Sequence, residues 1–352
     1  MKRLIMTRKN SKSRKINRPG RKVIKTINMH TCGEPLRIIR EGLPDLEGET
    51  ILEKRKYFAD HYDSIRTSLM FEPRGHADMY GAVLTGPMEE GADFGVFFMH
   101  NDGYSSMCGH AIIALTKYVL ESAYIKKGDK NPVVEIDTPA GRVRSKAFMR
   151  DGQVDKVSFM NVPSFVLIRD ERLELKGIGR FRFDVAFGGA FYAICDADAL
   201  GLHLDQTDYY RLIDYGRKIK GAVTENFRID HPYEPELSFL YGTIFTGKAH
   251  DLDNWSRNVC VFASGELDRS PTGTGLSARA ALHYARGELS LNERLTIESI
   301  LGTTMDVEVR DVITYGSREA VIPEVTGRAY YTGSSEFWID DDDPLKEGFI
   351  LR

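Results

Sequence analysis

Two short stretches carry residue types that could do chemistry. One is Ser106-Met107-Cys108-Gly109-His110; the other is Asp268-Arg269-Ser270-Pro271-Thr272-Gly273-Thr274-Gly275. Setting Cys108 over Thr272 puts Gly109 on Gly273 and His110 on Thr274, so each stretch places a small polar or thiol side chain just before a glycine. Each also opens a helix. Leu276 to Arg286 strings together good helix formers, with Gly287 as a stop, and Ser270, Pro271 and Thr272 suit a helix start. Ala111 to Ala123 is an apolar helical run. Glycines leave backbone N–H groups approachable, and a helix N-terminus attracts anions. Two such ends facing each other would hold one small anionic ligand on the N–H groups of Gly109, His110, Gly273 and Thr274. On this pattern alone, two ordinary capped helices are the simpler account.

The elements that must position these stretches recur in the same order twice. Val23 to Met29, Leu36 to Arg40, Ala82 to Leu84 and Gly95 to His100 read as strands, with a helix over Ile51 to Met70 between the second and third. After the Cys108 helix, Val133 to Asp137, Gly141 to Met149 and Lys156 to Val162 form a meander, with Asp151-Gly152 as a turn. In the second half, Phe181 to Ala186, Phe191 to Cys195, Leu237 to Thr246 and Asn258 to Phe262 are strands, and Thr207 to Ile219 a helix. The Thr272 helix follows, then strands at Leu295 to Ile300, Met305 to Thr314 and Ala320 to Thr326. The Cys108 helix is apolar on more than one face, through Ile112, Ile113, Leu115, Val119 and Leu120, which suits a wrapped, central position. Two sheets, each curled round one helix, follow from this.

Composition removes several function classes. The net charge of −3 over 352 residues gives the body no electrostatic footprint for nucleic acid. No apolar run approaches the ~20 residues that cross a bilayer. The four cysteines, Cys32, Cys108, Cys195 and Cys260, form no CxxC pair and no disulfide framework, which points to a reducing cytosol. Cys195 and Cys260 sit in apolar runs and read as buried small hydrophobes. Residues 1–22 hold ten Lys or Arg and no acid, the pattern of a solvated, disordered tail. Gly273-Thr274-Gly275-Leu276-Ser277-Ala278 fits a dinucleotide pattern, but Ser264 to Thr272 separates it from the preceding strand, which argues against that use.

Met107-Cys108-Gly109-His110 and the Asp268–Gly275 stretch closely resemble the two signature motifs of the proline racemase family. The likeness extends to His30-Thr31-Cys32-Gly33-Glu34-Pro35-Leu36-Arg37, to Pro73 through Ala82, to Phe98-Met99-His100-Asn101 and to Gly188-Gly189-Ala190-Phe191-Tyr192, and so covers nearly everything after residue 22. Racemases carry cysteine in both motifs. Thr272 in the second place resembles the trans-3-hydroxy-L-proline dehydratase branch. The resemblance implies an α/β (α+β) fold of two pseudo-symmetric domains, each a curled, mainly antiparallel sheet around a central helix, diaminopimelate epimerase-like, with the site in the interdomain cleft. Residues 23–178 with 327–352 would form the first domain and 179–326 the second. It implies a small imino-acid substrate, no cofactor, no nucleic-acid or membrane partner, and leaves a homodimer open.

The residues and the resemblance together give a chemistry. Cys108 at a helix N-terminus favours thiolate and would take the α-proton. Backbone donors would spread the carbanion's charge onto the carboxylate. The resemblance gives Asp268 the ring ammonium. A threonine hydroxyl is far too weak to serve as a second base, so two-sided exchange should fail while one-sided abstraction survives. In trans-3-hydroxy-L-proline the α-hydrogen and the hydroxyl share a face. Cys108 could remove the proton and return it to the departing hydroxide, giving an enamine that becomes pyrroline-2-carboxylate. Thr272 would fill the far face or lend a hydrogen bond. His110 could orient Cys108 or the carboxylate, His76 and Asp78 could line the cleft, and Cys32, where the family implies glycine, receives no role. A proline racemase or 4-hydroxyproline 2-epimerase, or a silent amino-acid binder, is the alternative.

Overall fold

The structure, a computed structural model, describes residues 19–351. Its first half runs β1 (Arg21–Thr31), β2 (Glu34–Glu41), α1 (Ile51–Met70), β3 (Tyr80–Thr85), β4 (Phe94–His100), β5 (Gly103–Ser105), α2 (Gly109–Glu121), β6 (Val133–Thr138), β7 (Gly141–Arg150) and β8 (Gln153–Met160). The second runs β9 (Phe165–Leu175), β10 (Gly179–Phe187), β11 (Phe191–Asp196), α3 (Tyr209–Asn226), β12 (Leu240–Gly247), β13 (Ser256–Phe262), β14 (Glu266–Leu267), α4 (Gly273–Ala285), β15 (Arg294–Glu298), β16 (Thr304–Tyr315) and β17 (Arg318–Gly327). The strand β18 (Ala329–Asp340) follows.

The pairing repeats. In the first half β2 and β3 are parallel, β3–β4 and β4–β5 antiparallel, β4 and β6 parallel, and β6–β7–β8 an antiparallel meander. In the second half β11–β12, β12–β13, β13–β14, β13–β15 and β15–β16–β17 reproduce that series. Antiparallel pairing of β8 with β17 joins the halves into one sheet. The fold is thus mixed α/β with a large, mainly antiparallel sheet, as the sequence led us to expect.

Helix α2 is apolar nearly all round and α4 is built mainly of small residues, and both take enclosed positions. Every residue from Gly109 to Thr116 is buried in α2, and every residue from Gly273 to Leu282 in α4. The buried hydroxyl of Thr116 in α2 is satisfied by the Ile112 carbonyl at 2.8 Å and Ser145 Oγ at 2.7 Å. By contrast α1 is two-faced. Thr50 and Glu53 close a capping box at its start, and Phe58, Ile65 and Leu69 face the sheet.

Two expectations needed correction, and one strand was not foreseen. The helix expected over Thr207 to Ile219 continues to Asn226, because Ala222 and Val223 extend its buried stripe past Gly221. The strand β9 had no clear sequence signal: its outer part, Asp170-Glu171-Arg172, is exposed, and pairing with β10 makes it a strand. The basic run was expected to stay unstructured through residue 22, yet Arg21 and Lys22 begin β1. Arg21 Nε lies 2.6 Å from Asp340, and its guanidinium stacks 4.4 Å from the Trp338 ring. The rest of that run, residues 1–18, lies outside the described residues.

Candidate active site

Helices α2 and α4 meet end to end. A methyl group added at Gly273 would stand 2.9 Å from Gly109 Cα, and one added at Gly109 would stand 2.8 Å from Gly273 Cα. Glycine at both positions lets two backbones touch where any side chain would separate them. The two N-termini therefore share one small cavity, lined by Cys108, Gly109, His110, Asp268, Thr272, Gly273 and Thr274. All seven site residues expected from the sequence come together. Glu34, Tyr80, Met107, Tyr192, Tyr241, Cys260 and Phe262 complete the wall.

The charges fit one kind of ligand. Among the lining residues the acids are Glu34 and Asp268, and none is lysine or arginine. Two helix N-termini supply the positive potential instead. A small zwitterion suits this arrangement, its negative end toward the helix N-termini and its positive end toward Asp268.

Cys108 takes the N-cap position of α2 in extended backbone, φ −145°. Its Sγ lies 3.1 Å from His110 Nδ1, and the Tyr80 ring meets the imidazole edge-on at 4.9 Å. Burial pushes the Cys108 thiol well up. The Ala111 backbone N–H and the Tyr80 hydroxyl oppose this, while Asp268 and Glu34 add to it. The expectation that the helix end would hold a thiolate is corrected for the ligand-free cavity: desolvation outweighs the dipole. Burial likewise lowers His110, favouring the neutral imidazole.

Thr272 occupies the matching N-cap of α4 with φ +66°, outside the ordinary range for a β-branched residue. Its neighbours hold it there. Thr272 Oγ1 donates to Asp268 Oδ2 at 2.8 Å, its N–H donates to Ser270 Oγ at 3.1 Å, and the Ser270 N–H donates to Asp268 Oδ1 at 2.7 Å. Tyr192 closes the same side, its hydroxyl 2.6 Å from Thr274 Oγ1.

Glu34 arrives by a two-residue turn between β1 and β2. Cys32 (φ 55°) and Gly33 (φ 97°) are both left-handed, as a tight hairpin requires. That conformation is the physical reason glycine suits position 32. The Cys32 thiol donates to the Thr304 carbonyl at 3.3 Å, and burial raises its pKa to about 11. His76 and Asp78 do not line the cavity. His76 is exposed on its loop, and Asp78 is buried 2.8 Å from Arg269, tying the two halves beside the site. Cys260, read as a core hydrophobe, is buried but reaches the cavity wall.

Known proteins point the same way. The sequence model described as proline racemase matches residues 26–350. The trans-3-hydroxy-L-proline dehydratase of Colwellia psychrerythraea is 51% identical over 339 residues, 96% of this chain and 95% of its own. A 3-hydroxyproline 2-epimerase of Burkholderia multivorans is 42% identical over 94% of this chain and 98% of its own. The crystal structure of a hydroxyproline epimerase from Agrobacterium vitis, with bound trans-4-hydroxy-L-proline, superposes with a TM-score of 0.87 at 31% identity, covering 94% of this chain and 96% of that one. A duplicated sheet-and-helix fold, two helix ends converging on a thiol, and matches of this length establish that the chain belongs to the proline racemase family.

Proposed function

We propose that the protein dehydrates trans-3-hydroxy-L-proline to Δ1-pyrroline-2-carboxylate. The observation that carries this is the asymmetry of the duplicated motif, with a thiol at one helix N-cap and a threonine hydroxyl held by Asp268 at the other. One face of the cavity can take a proton; the opposite face offers no comparable base.

The substrate carboxylate sits between the N-termini of α2 and α4, and the ring ammonium faces Asp268. That ammonium brings positive charge next to Asp268, whose charge helps to hold the Cys108 thiol protonated. Together with the Ala111 N–H and the Tyr80 hydroxyl, it shifts Cys108 toward thiolate when substrate is present. Cys108 takes the α-proton, and the electron pair expels the 3-hydroxyl from the same face. The resulting enamine moves a proton from nitrogen to C3 to give the cyclic imine. These steps use only groups of this chain. Cys108 must stay reduced for them, which fits the cytosol, and none of the four cysteines is in a disulfide. The repeated pairing supports a division into two bodies, with β18 returning to the first through β1.

Incubation with trans-3-hydroxy-L-proline and trapping of the imine with o-aminobenzaldehyde tests the proposal. Imine is the expected product. The epimerase relative supplies a second reading. Recovery of the C2-epimer without imine would establish that reading instead.

A further inference from the structure

The steps above leave Glu34 without a task, yet it is fully enclosed, 0% exposed, in the wall of the same cavity. Its Oε2 accepts the Arg269 N–H at 2.8 Å. Its Oε1 has no hydrogen-bond partner among the described residues. A bare carboxylate oxygen in such a place costs ~1–3 kcal/mol or more unless it is protonated or meets a ligand. The cations nearby are engaged: Arg269 lies 2.8 Å from Asp78, and the substrate ammonium belongs to Asp268. Burial, reinforced by Asp268 and opposed by the Arg269 guanidinium and N–H, pushes Glu34 well above the usual carboxylate range, which favours its protonated form.

The reaction needs a proton at one more place. Hydroxide leaves poorly, so an acid in the wall of the cavity must meet the 3-hydroxyl. Glu34 reaches that wall on the β1–β2 hairpin, its Oε2 fixed by the Arg269 N–H and its Oε1 left unpartnered among the described residues, in the cavity that Cys108 also lines. We propose that Glu34 is the general acid of this reaction, protonating the departing 3-hydroxyl. The inference rests on the dehydratase reading. The Cα–H bond breaks to Cys108 Sγ, its electron pair forms the Cα–C3 double bond, and the C3–O pair leaves with oxygen. The Glu34 O–H proton completes the water. Cys108 ends as thiol and Glu34 as carboxylate, and exchange with solvent after product release resets both.

The test follows two products in heavy water. Wild type and Glu34→Gln are each given trans-3-hydroxy-L-proline, imine is trapped, and deuterium at Cα of recovered substrate is read by mass spectrometry. Abstraction without elimination should mark the variant: imine falls at least about 100-fold, and the ratio of exchange to imine rises at least about 30-fold. Glu34→Asp, which keeps an acid, should recover part of the imine. Imine within about threefold of wild type in Glu34→Gln, or exchange and imine falling together in the folded variant, overturns the assignment. Should the glutamine variant not fold, the same ratio in wild type decides: it should rise with pH as Glu34 loses its proton, and a flat ratio overturns the role. Wild type that makes no imine at any pH removes the dehydratase reading itself, and Glu34 with it.

Discussion

Cys108 and Thr272 occupy equivalent N-caps, yet their surroundings differ as much as their side chains. Cys108 sits in relaxed extended backbone, whereas Thr272 is held at φ +66° by its bonds to Asp268 and Ser270. Strain of this kind persists where neighbours over-determine a conformation, commonly at functional sites. Replacing Cys108 by serine should lower imine formation at least about 10³-fold, because a hydroxyl is far less acidic than a thiol. The melting temperature should stay within about 2 °C, since one atom changes and no cavity opens; near-normal turnover would exclude Cys108 as base. The thiol's raised pKa gives a second check. The reactive form is the deprotonated one, so raising its pKa moves thiolate formation to higher pH. Ligand-free wild type minus Cys108→Ser should show thiolate absorbance at 240 nm only above the ordinary thiol range. A full signal at neutral pH would mean that the helix end outweighs burial after all. Thr272→Cys should add a second thiol opposite the first. In heavy water the variant should turn L-proline partly into deuterated D-proline, while wild type yields none. Substantial D-proline from wild type would sink the one-base account.

At the scale of elements, the site is a contact between two helix ends. Their N-termini approach because neither Gly109 nor Gly273 has a side chain, and because both helices are buried along their length inside curled strands. Phe159 fills the space beside the junction, 3.0 Å from where a Gly109 methyl group would lie. Gly273→Ala should therefore part the helix ends or displace that ring. Overpacking of this kind costs ~1–3 kcal/mol, a fall of a few degrees in melting temperature. Activity should suffer more, about 100-fold, since the carboxylate donors of the two helices would no longer converge. Thermal melts and kcat/KM on one preparation check this; a destabilised but fully active variant would show that the helix ends need not touch.

Across the whole molecule, residues of both halves line the cavity, and side chains from one fasten onto loops of the other. Asp78 binds Arg269, Glu34 accepts the Arg269 N–H, and the Thr303 hydroxyl donates to the Cys32 carbonyl at 2.8 Å, fixing the β1–β2 hairpin on the second half. Asp78 is 1% exposed and also accepts the Leu267 N–H at 3.3 Å. Asp78→Asn removes the charge that faces the Arg269 guanidinium across the seam, and losing the buried partner of such a pair is costly. We expect KM to rise about tenfold or more, with a smaller change in kcat, because substrate retention depends on closure of the halves. Steady-state kinetics decides it: an unchanged KM would reduce the bridge to a structural contact.

The sequence by itself determined the local part of this protein. Cys108 with Gly109 and His110, and Asp268 with Thr272, Gly273 and Thr274, were legible because each set lies within one turn of a helix start, where chain neighbours are also spatial neighbours. The repeated order of strands and apolar helices was legible for the same reason, through periodicity. Only the tertiary structure decided which distant residues close the cavity. Glu34 lies 234 positions from Asp268 in number and shares its pocket because the β1–β2 hairpin reaches the other half. Tyr80, Tyr192, Tyr241, Cys260 and Phe262 arrive there through sheet curvature, which no short spacing encodes. The thiol shows the division most sharply. A helix N-terminus, read from sequence, argues for thiolate; enclosure beside two acids, visible only once the chain is folded, raises its pKa instead, because desolvation depends on everything that surrounds the sulfur.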